Sequence, residues 1–251
     1  MNGLNRGFLR ILSFGKSDMG LKRLNNEDML ILRPGIGLFA VADGMGGAAA
    51  GEVASQIFAE TVSRVFDEKE RVSGQETLDL VQEVFRQANE KILNHVKENS
   101  QHKGMGCTAE LLAFDQNHYV LGHVGDSRTY LFRRGELKQM TLDHSLVQDQ
   151  VDRGLITAEE ARKHSLRNVI LRAVGVNEFL AVDLIRGKGV PGDLLLLCSD
   201  GLSDMVDDPS IANVLSRPAS VNQKVETLIE LAKSAGGHDN ITVVLCEVMA
   251  S

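Results

Sequence analysis

The sequence has no tryptophan and only two tyrosines among 251 residues. That leaves little from which to build an aromatic platform for stacking bases. Cations do not dominate either: 27 Lys and Arg stand against 34 Asp and Glu, a formal charge of −7. Nucleic-acid and anionic-membrane binders need clustered Lys and Arg, so neither partner is expected. No apolar run approaches the roughly 18 residues of a membrane span. The opening residues carry Arg6, Arg10 and Lys16 among broken apolar stretches, without the cleavage site of a secretory signal. The three cysteines, Cys107, Cys198 and Cys246, are far apart, and two end apolar runs. They read as buried thiols in a reducing cytoplasm rather than disulfides or zinc ligands. Only four prolines are present, with no Pro- or Ser-rich linker and no internal repeat. Residues 1–13 read as a short leader or first-strand extension, and 14–251 as a single domain.

Short β-rich or apolar runs predict strands at 29–33, 36–42, 107–114, 118–125, 128–133, 180–186, 194–198 and 241–248. Two long blocks carry helical stripes. One joins Ala54, Ile57, Phe58, Thr61, Val62 and Val65; the other runs from Leu78 to Val96. Ser220-x-x-Gln223 and Thr157-x-x-Glu160 fit capping boxes and open two further helices. Two helices, then a run of strands, then more helices is not the alternation of a doubly wound sheet. It predicts an α+β protein of mainly antiparallel sheets with helices packed on them.

The positions of the aspartates carry the chemistry. Asp43 ends IGLFAVA, Asp126 ends YVLGHVG, Asp200 ends LLLLCS, and Asp239 precedes ITVVL. A carboxylate at the edge of a buried strand is costly unless it is paired or bound to a cation. Any one of them fits turn chemistry, because Asp-Gly is a strong hairpin signal. Four together, three of them followed by Gly44, Ser127 or Gly201, suggest a shared site. No Lys or Arg lies within two residues of Asp43, Asp200 or Asp239, whereas Arg128 lies near Asp126. Oxygen ligands without Cys or His select magnesium or manganese over zinc.

Asp43-Gly44-Met45-Gly46-Gly47 leads into the first long helix, a place where an anion can be cradled. No Gly-Lys-Ser/Thr follows, so it is not a Walker loop. Gly44-x-Gly46-x-x-Ala49 is a weak dinucleotide match. The acidic residue that such a site needs would fall near Asp67, after a helical stripe and without a second strand, which argues against a nicotinamide-dependent oxidoreductase. Upstream, Arg23 is followed by Glu27 and Asp28, an anion ligand beside two more carboxylates.

SDMGLKRLNNED, VADGMGG, GHVGDSR, LCSDG and GGHDNITVVL occur in this order. Together they resemble the metal-dependent Ser/Thr protein phosphatases, the PPM or type 2C family, in its compact bacterial form. TLDHSLVQDQVDRGLIT and RNVILRAVG are similar to the bacterial branch. The resemblance implies an αββα sandwich of two antiparallel sheets flanked by helix pairs, with 14–251 as the phosphatase catalytic domain. It implies two Mn or Mg ions, with Asp43 bridging them, the Gly44 carbonyl on one, and Asp200 and Asp239 on the other. Glu27 and Asp28 would stand close by, directly or through water. Asp126, with Asp200, would hold a third, weaker ion, and Arg23 would bind the substrate phosphate.

The implied reaction is direct attack on phosphoserine or phosphothreonine by a hydroxide that bridges the two metals, without a covalent enzyme intermediate. The partners expected from the resemblance are phosphorylated proteins and a Ser/Thr kinase whose action the enzyme reverses, and the chain is expected to be a cytoplasmic monomer. The sequence has no Cys-x5-Arg loop of a cysteine-nucleophile phosphatase. Every expected metal aspartate is present, which argues against a non-catalytic binding module of the same fold. Two positions depart from the family. Met45 stands where many eukaryotic relatives have a histidine, so a metal-held water is the expected proton source for the leaving group. His164-Ser165 stands where bacterial relatives often have His-Pro, within residues 144–175, which resemble the mobile flap over the cleft.

Overall fold

The computed structural model describes residues 9–46, 50–67 and 74–250. The first eight residues of the expected leader, residues 47–49 of the glycine-rich loop and residues 68–73 lie outside the described residues. The strands are β1 (Arg10–Asp18), β2 (Asp28–Arg33), β3 (Leu38–Met45), β4 (Gly106–Cys107), β5 (Ala109–Asp115), β6 (His118–Val124), β7 (Arg128–Arg133), β8 (Glu136–Gln139), β9 (Asp183–Lys188), β10 (Leu194–Cys198) and β11 (Ile241–Met249). The helices are α1 (Ala50–Val65), α2 (Gln75–Glu98), α3 (Leu146–Asp152), α4 (Ala158–Lys163), α5 (Asp200–Ser203), α6 (Asp208–Ser216) and α7 (Val221–Ser234).

The strands form two antiparallel sheets. One has the order β1-β11-β10-β7-β8; the other has the order β2-β3-β5-β6-β9, with β4 added on β3. β1 begins at Arg10, so residues 10–13 are the first part of that strand.

Side-chain alternation shows why the sheets stack. In β10, Leu195 and Leu197 point between the sheets, while Leu194, Leu196 and Cys198 face α5–α7. In β3, Phe39 and Val41 meet them from the opposite sheet, while Leu38, Ala40 and Ala42 face α1 and α2. Three apolar layers result: helix on sheet, sheet on sheet, and sheet on helix. Phe58 of α1 and Phe85 of α2 meet edge to face at 5.4 Å over the outer side of the second sheet. Leu195 is fully buried in the middle layer, so its truncation to Ala would cost about 2–5 kcal/mol.

Both expected capping boxes form. Thr157 opens α4 with Glu160 closing back on it, and Ser220 opens α7 with Gln223 doing the same. All three cysteines are buried and unpaired. Among the described residues no helix is long and apolar enough to cross a membrane.

Candidate active site

Antiparallel register gathers the aspartates. β10 and β11 are neighbours running in opposite directions, with Cys198 opposite Val243. The residues just after β10 and just before β11 therefore share one edge of their sheet, and these include Asp200 and Asp239. In the second sheet Asp28, which opens β2, lies directly opposite Asp43 near the end of β3. The two edges meet at one cleft of about 380 Å³, lined by Arg23, Glu27, Asp43, Gly44, Asp200 and Asp239 together with Met45, Thr108, Asn168, Ile170 and Asn240. Asp28 is buried behind this wall and accepts a 2.8 Å hydrogen bond from Ser199 Oγ. Asp126 lines an adjoining cavity of about 280 Å³, and Asp200 and Asn168 belong to the walls of both.

The Asp-Gly pairs are not hairpin turns. β3 continues through Gly44 to Met45, and Asp200-Gly201 opens α5. Gly44 is pressed between the backbones of Gly51 and Glu27, and Gly201 against the carbonyl of Asn240, so a side chain at either position would collide with main chain. These glycines let segments distant in sequence close on the aspartates. Asp126 likewise sits in the crossing from β6 in one sheet to β7 in the other, which is no hairpin. Arg128 does not pair with Asp126. It forks onto Asp143, with Nε–Oδ1 at 2.9 Å and Nη2–Oδ2 at 2.6 Å.

Several polar residues that hold the site have no local mark in the sequence. Asn240 is 4% exposed; it accepts from the Glu27 amide at 2.8 Å and donates to the carbonyls of Met19 and Asn25. It thereby ties the Arg23 turn to the start of β11. Thr108 Oγ1 accepts from the Asp43 amide at 3.3 Å, and it pairs with Ser127 Oγ at 2.6 Å. Ser199 Oγ donates to Asp28 and accepts from the Thr242 amide at 2.9 Å. Asn240 and Thr242 belong to the DNIT segment of the last motif, the one signal that could have exposed them.

The electrostatics are those of crowded anions. Burial raises the Asp43 carboxyl well above its ordinary range, and Asp28, Asp200, Asp126 and Asp239 push it further. Asp200 is raised well above its ordinary range by burial and then by Asp126 and Asp204. Burial lifts Asp28 to about 6 and Asp126 to about 7, the latter with help from Asp143 and Asp204. Glu27 is raised by burial, with Arg23 opposing. Oδ1 of Asp28, Asp126 and Asp200 are buried without a hydrogen-bond partner.

Among the described residues, no three His, Cys, Asp or Glu side chains already form a metal-ligating cluster. Asp239 is turned away to Arg23, Nη2–Oδ2 2.5 Å, and Asp28 to Ser199. Arg23, expected on the substrate phosphate, is here the partner of Asp239. Yet orphaned carboxylate oxygens, mutual repulsion and an all-oxygen donor set fit a hard divalent cation. The residues present therefore suit magnesium or manganese.

The family described as Protein phosphatase 2C matches residues 22–245. Over 234 residues the chain is 43% identical to the serine/threonine protein phosphatase PstP of Mycobacterium tuberculosis, covering 93% of this chain. The chain spans 44% of the length of that relative. It is 35% identical to protein phosphatase PhpP of Streptococcus pneumoniae, over 91% of this chain and 94% of that protein. A solved structure of the PstP catalytic domain in complex with two manganese ions superposes with a TM-score of 0.88 at 41% identity, over 96% of this chain and 100% of that one.

Proposed function

The chain belongs to the protein phosphatase 2C family, and from that premise we propose that it hydrolyses phosphoserine and phosphothreonine in proteins with two manganese or magnesium ions. The observation that carries this reading is the convergence of Asp43, Asp200 and Asp239 on one cleft beside Arg23. In it Asp43 would serve both ions, the Gly44 carbonyl would hold one, and Asp200 and Asp239 would hold the other. Glu27 stands at the rim and Asp28 behind it. Asp126, with Asp200, would serve a third, weaker ion in the adjoining cavity. When bound, such ions supply Lewis acidity to the phosphoryl oxygens and lower the pKa of water.

The residues themselves do three things. They hold charge in place before the reaction, because Ser199, Thr108 and Asn240 fix Asp28, Asp43 and the Arg23 turn. They can exchange partners: Arg23 and Asp239 are paired at 2.5 Å, and with Asp239 holding a cation Arg23 would be free to present its planar fork to phosphate. They leave the leaving-group proton to water in the cleft, since Met45 lines it with a thioether that has no proton to give.

Phosphorylated proteins are the substrates in this reading, and a Ser/Thr kinase is the source of their phosphate. Three buried, unpaired cysteines suit a reducing compartment, and we place the domain in the cytoplasm as a monomer. The test is phosphate release from phosphopeptides after chelation, with manganese then restored. Release that needs the metal supports the reading, and full release from the chelated protein overturns it.

A further inference from the structure

Exposed apolar side chains are concentrated in two segments that border the cleft. Among the described residues, ten of the twelve exposed large hydrophobic side chains fall in residues 19–24 or 142–179. Both segments supply cleft wall: Arg23 from the first, Asn168 and Ile170 from the second. Leu24, next to Arg23, is 92% exposed. Val169 and Leu171, on either side of Ile170, are 39% and 52% exposed. Met19 and Leu21 extend the first patch.

The backbones that carry these side chains are anchored by hydrogen bonds. The Leu21 amide donates to the Gly237 carbonyl at 2.8 Å, and the Met19 and Asn25 carbonyls are fixed by Asn240. Across the cleft, the Leu171 amide donates to His144 and the Leu146 amide to Val169, at 2.7 and 2.8 Å. Clustered apolar surface around a polar pocket marks an interaction site.

The position of the patches identifies what covers them. A free phosphate or small phosphoester ends inside the cleft. A polypeptide that inserts a phosphorylated side chain has to leave across the rims. We propose that Leu24 with Leu21 on one rim, and Val169 with Leu171 on the other, form the subsite for residues flanking the phosphorylated serine or threonine. The subsite selects phosphorylated segments that carry bulky aliphatic or aromatic residues at those flanking positions. This inference rests on the phosphatase reading above and adds a substrate class to it.

The experiment compares two phosphopeptides of equal length and charge, one flanked by leucines and one by serines, with a small aryl phosphate as the third substrate. Each is assayed with manganese on the full chain and on a Leu24→Ser/Leu171→Ser variant, with melting temperature and sedimentation recorded for both. For the parent chain we expect kcat/KM roughly tenfold higher for the leucine-flanked peptide, carried by KM. In the variant the two peptides should converge while the aryl phosphate is turned over as before. Equal kcat/KM for both peptides in an active parent chain overturns the subsite alone. So does a preference that survives in the folded variant, or a parent dimer that the variant dissolves, which would assign the patches to a second copy. A parent chain inert on all three esters with manganese overturns the phosphatase reading as well.

Discussion

Replacing Asp43 with Asn should make the metal-free protein more stable while abolishing turnover. Asp43 lies directly opposite Asp28 across β2 and β3. Side chains at such positions are about 5 Å apart. Two full charges at that distance repel by about 3 kcal/mol at an effective dielectric constant near 20. Asp28 titrates at about 6 and Asp43 well above its ordinary range, so at pH 7.5 part of that repulsion is already relieved by a bound proton. We therefore expect a gain of about 1–2 kcal/mol for the chelated variant, or roughly 2–8 °C in melting temperature for a domain of this size. The same change removes the carboxylate proposed to serve both ions. With saturating manganese, kcat should fall by at least ~10³-fold, about 4 kcal/mol of barrier. Calorimetry in chelator at pH 7.5 and phosphopeptide turnover with manganese read the two effects separately. A chelated variant that melts below the parent chain refutes the crowded-anion argument, and near-normal kcat at full metal occupancy removes Asp43 from the metal bridge.

Three further outcomes follow from the same geometry. Arg23→Ala should lower kcat/KM for phosphopeptides by about 10–100-fold, the worth of a charge-assisted hydrogen bond, with KM raised; unchanged kinetics would make Arg23 only a partner of Asp239. Asp126→Ala should spare the two tight ions, leave the melting temperature unchanged or higher, reduce turnover and alter the manganese dependence; lost stability with normal turnover per folded molecule would assign Asp126 to the chain crossing between the sheets. In chelator, the protein should melt at higher temperature at pH 6.5 than at pH 8.5. Asp126 near 7 and His123 near 9 hold protons in the folded state that the unfolded chain gives up earlier, so stability falls as pH rises through those values; equal melting temperatures would contradict the raised values.

The features legible in the sequence were those with a local signature. An aspartate ending an apolar run told its own story at Asp43, Asp126 and Asp200, and Ser220 and Thr157 announced their helices by caps that satisfy nearby amides. β1 and β8 were harder. SFGK carries little apolar signal in β1, and ELKQ is a short, polar edge strand of four residues. The placement of Asn240, Ser199 and Thr108 depends on partners tens to hundreds of residues away, which periodicity does not record. The Arg23–Asp239 pair, 216 residues apart, is of this kind. So is the buried contact between Glu110 and His123, which places a charged residue inside a strand that is buried along its whole length. Asp-Gly at 43–44 and 200–201 fitted hairpin turns equally well; only the close approach of Gly51 and Asn240 shows why glycine is required.

Asp43, Asp200 and Asp239 are proposed to hold two divalent ions together in the cleft. Anomalous diffraction at the manganese edge, from crystals soaked in manganese, tests this most directly. Two strong peaks are expected, both within about 2.0–2.6 Å of an Asp43 carboxylate oxygen, the range of metal–oxygen bonds, with Asp200 and Asp239 on one of them and Arg23 released from Asp239. Peaks lying away from Asp43, or an Arg23–Asp239 pair unchanged beside a manganese-loaded cleft, would contradict that proposal.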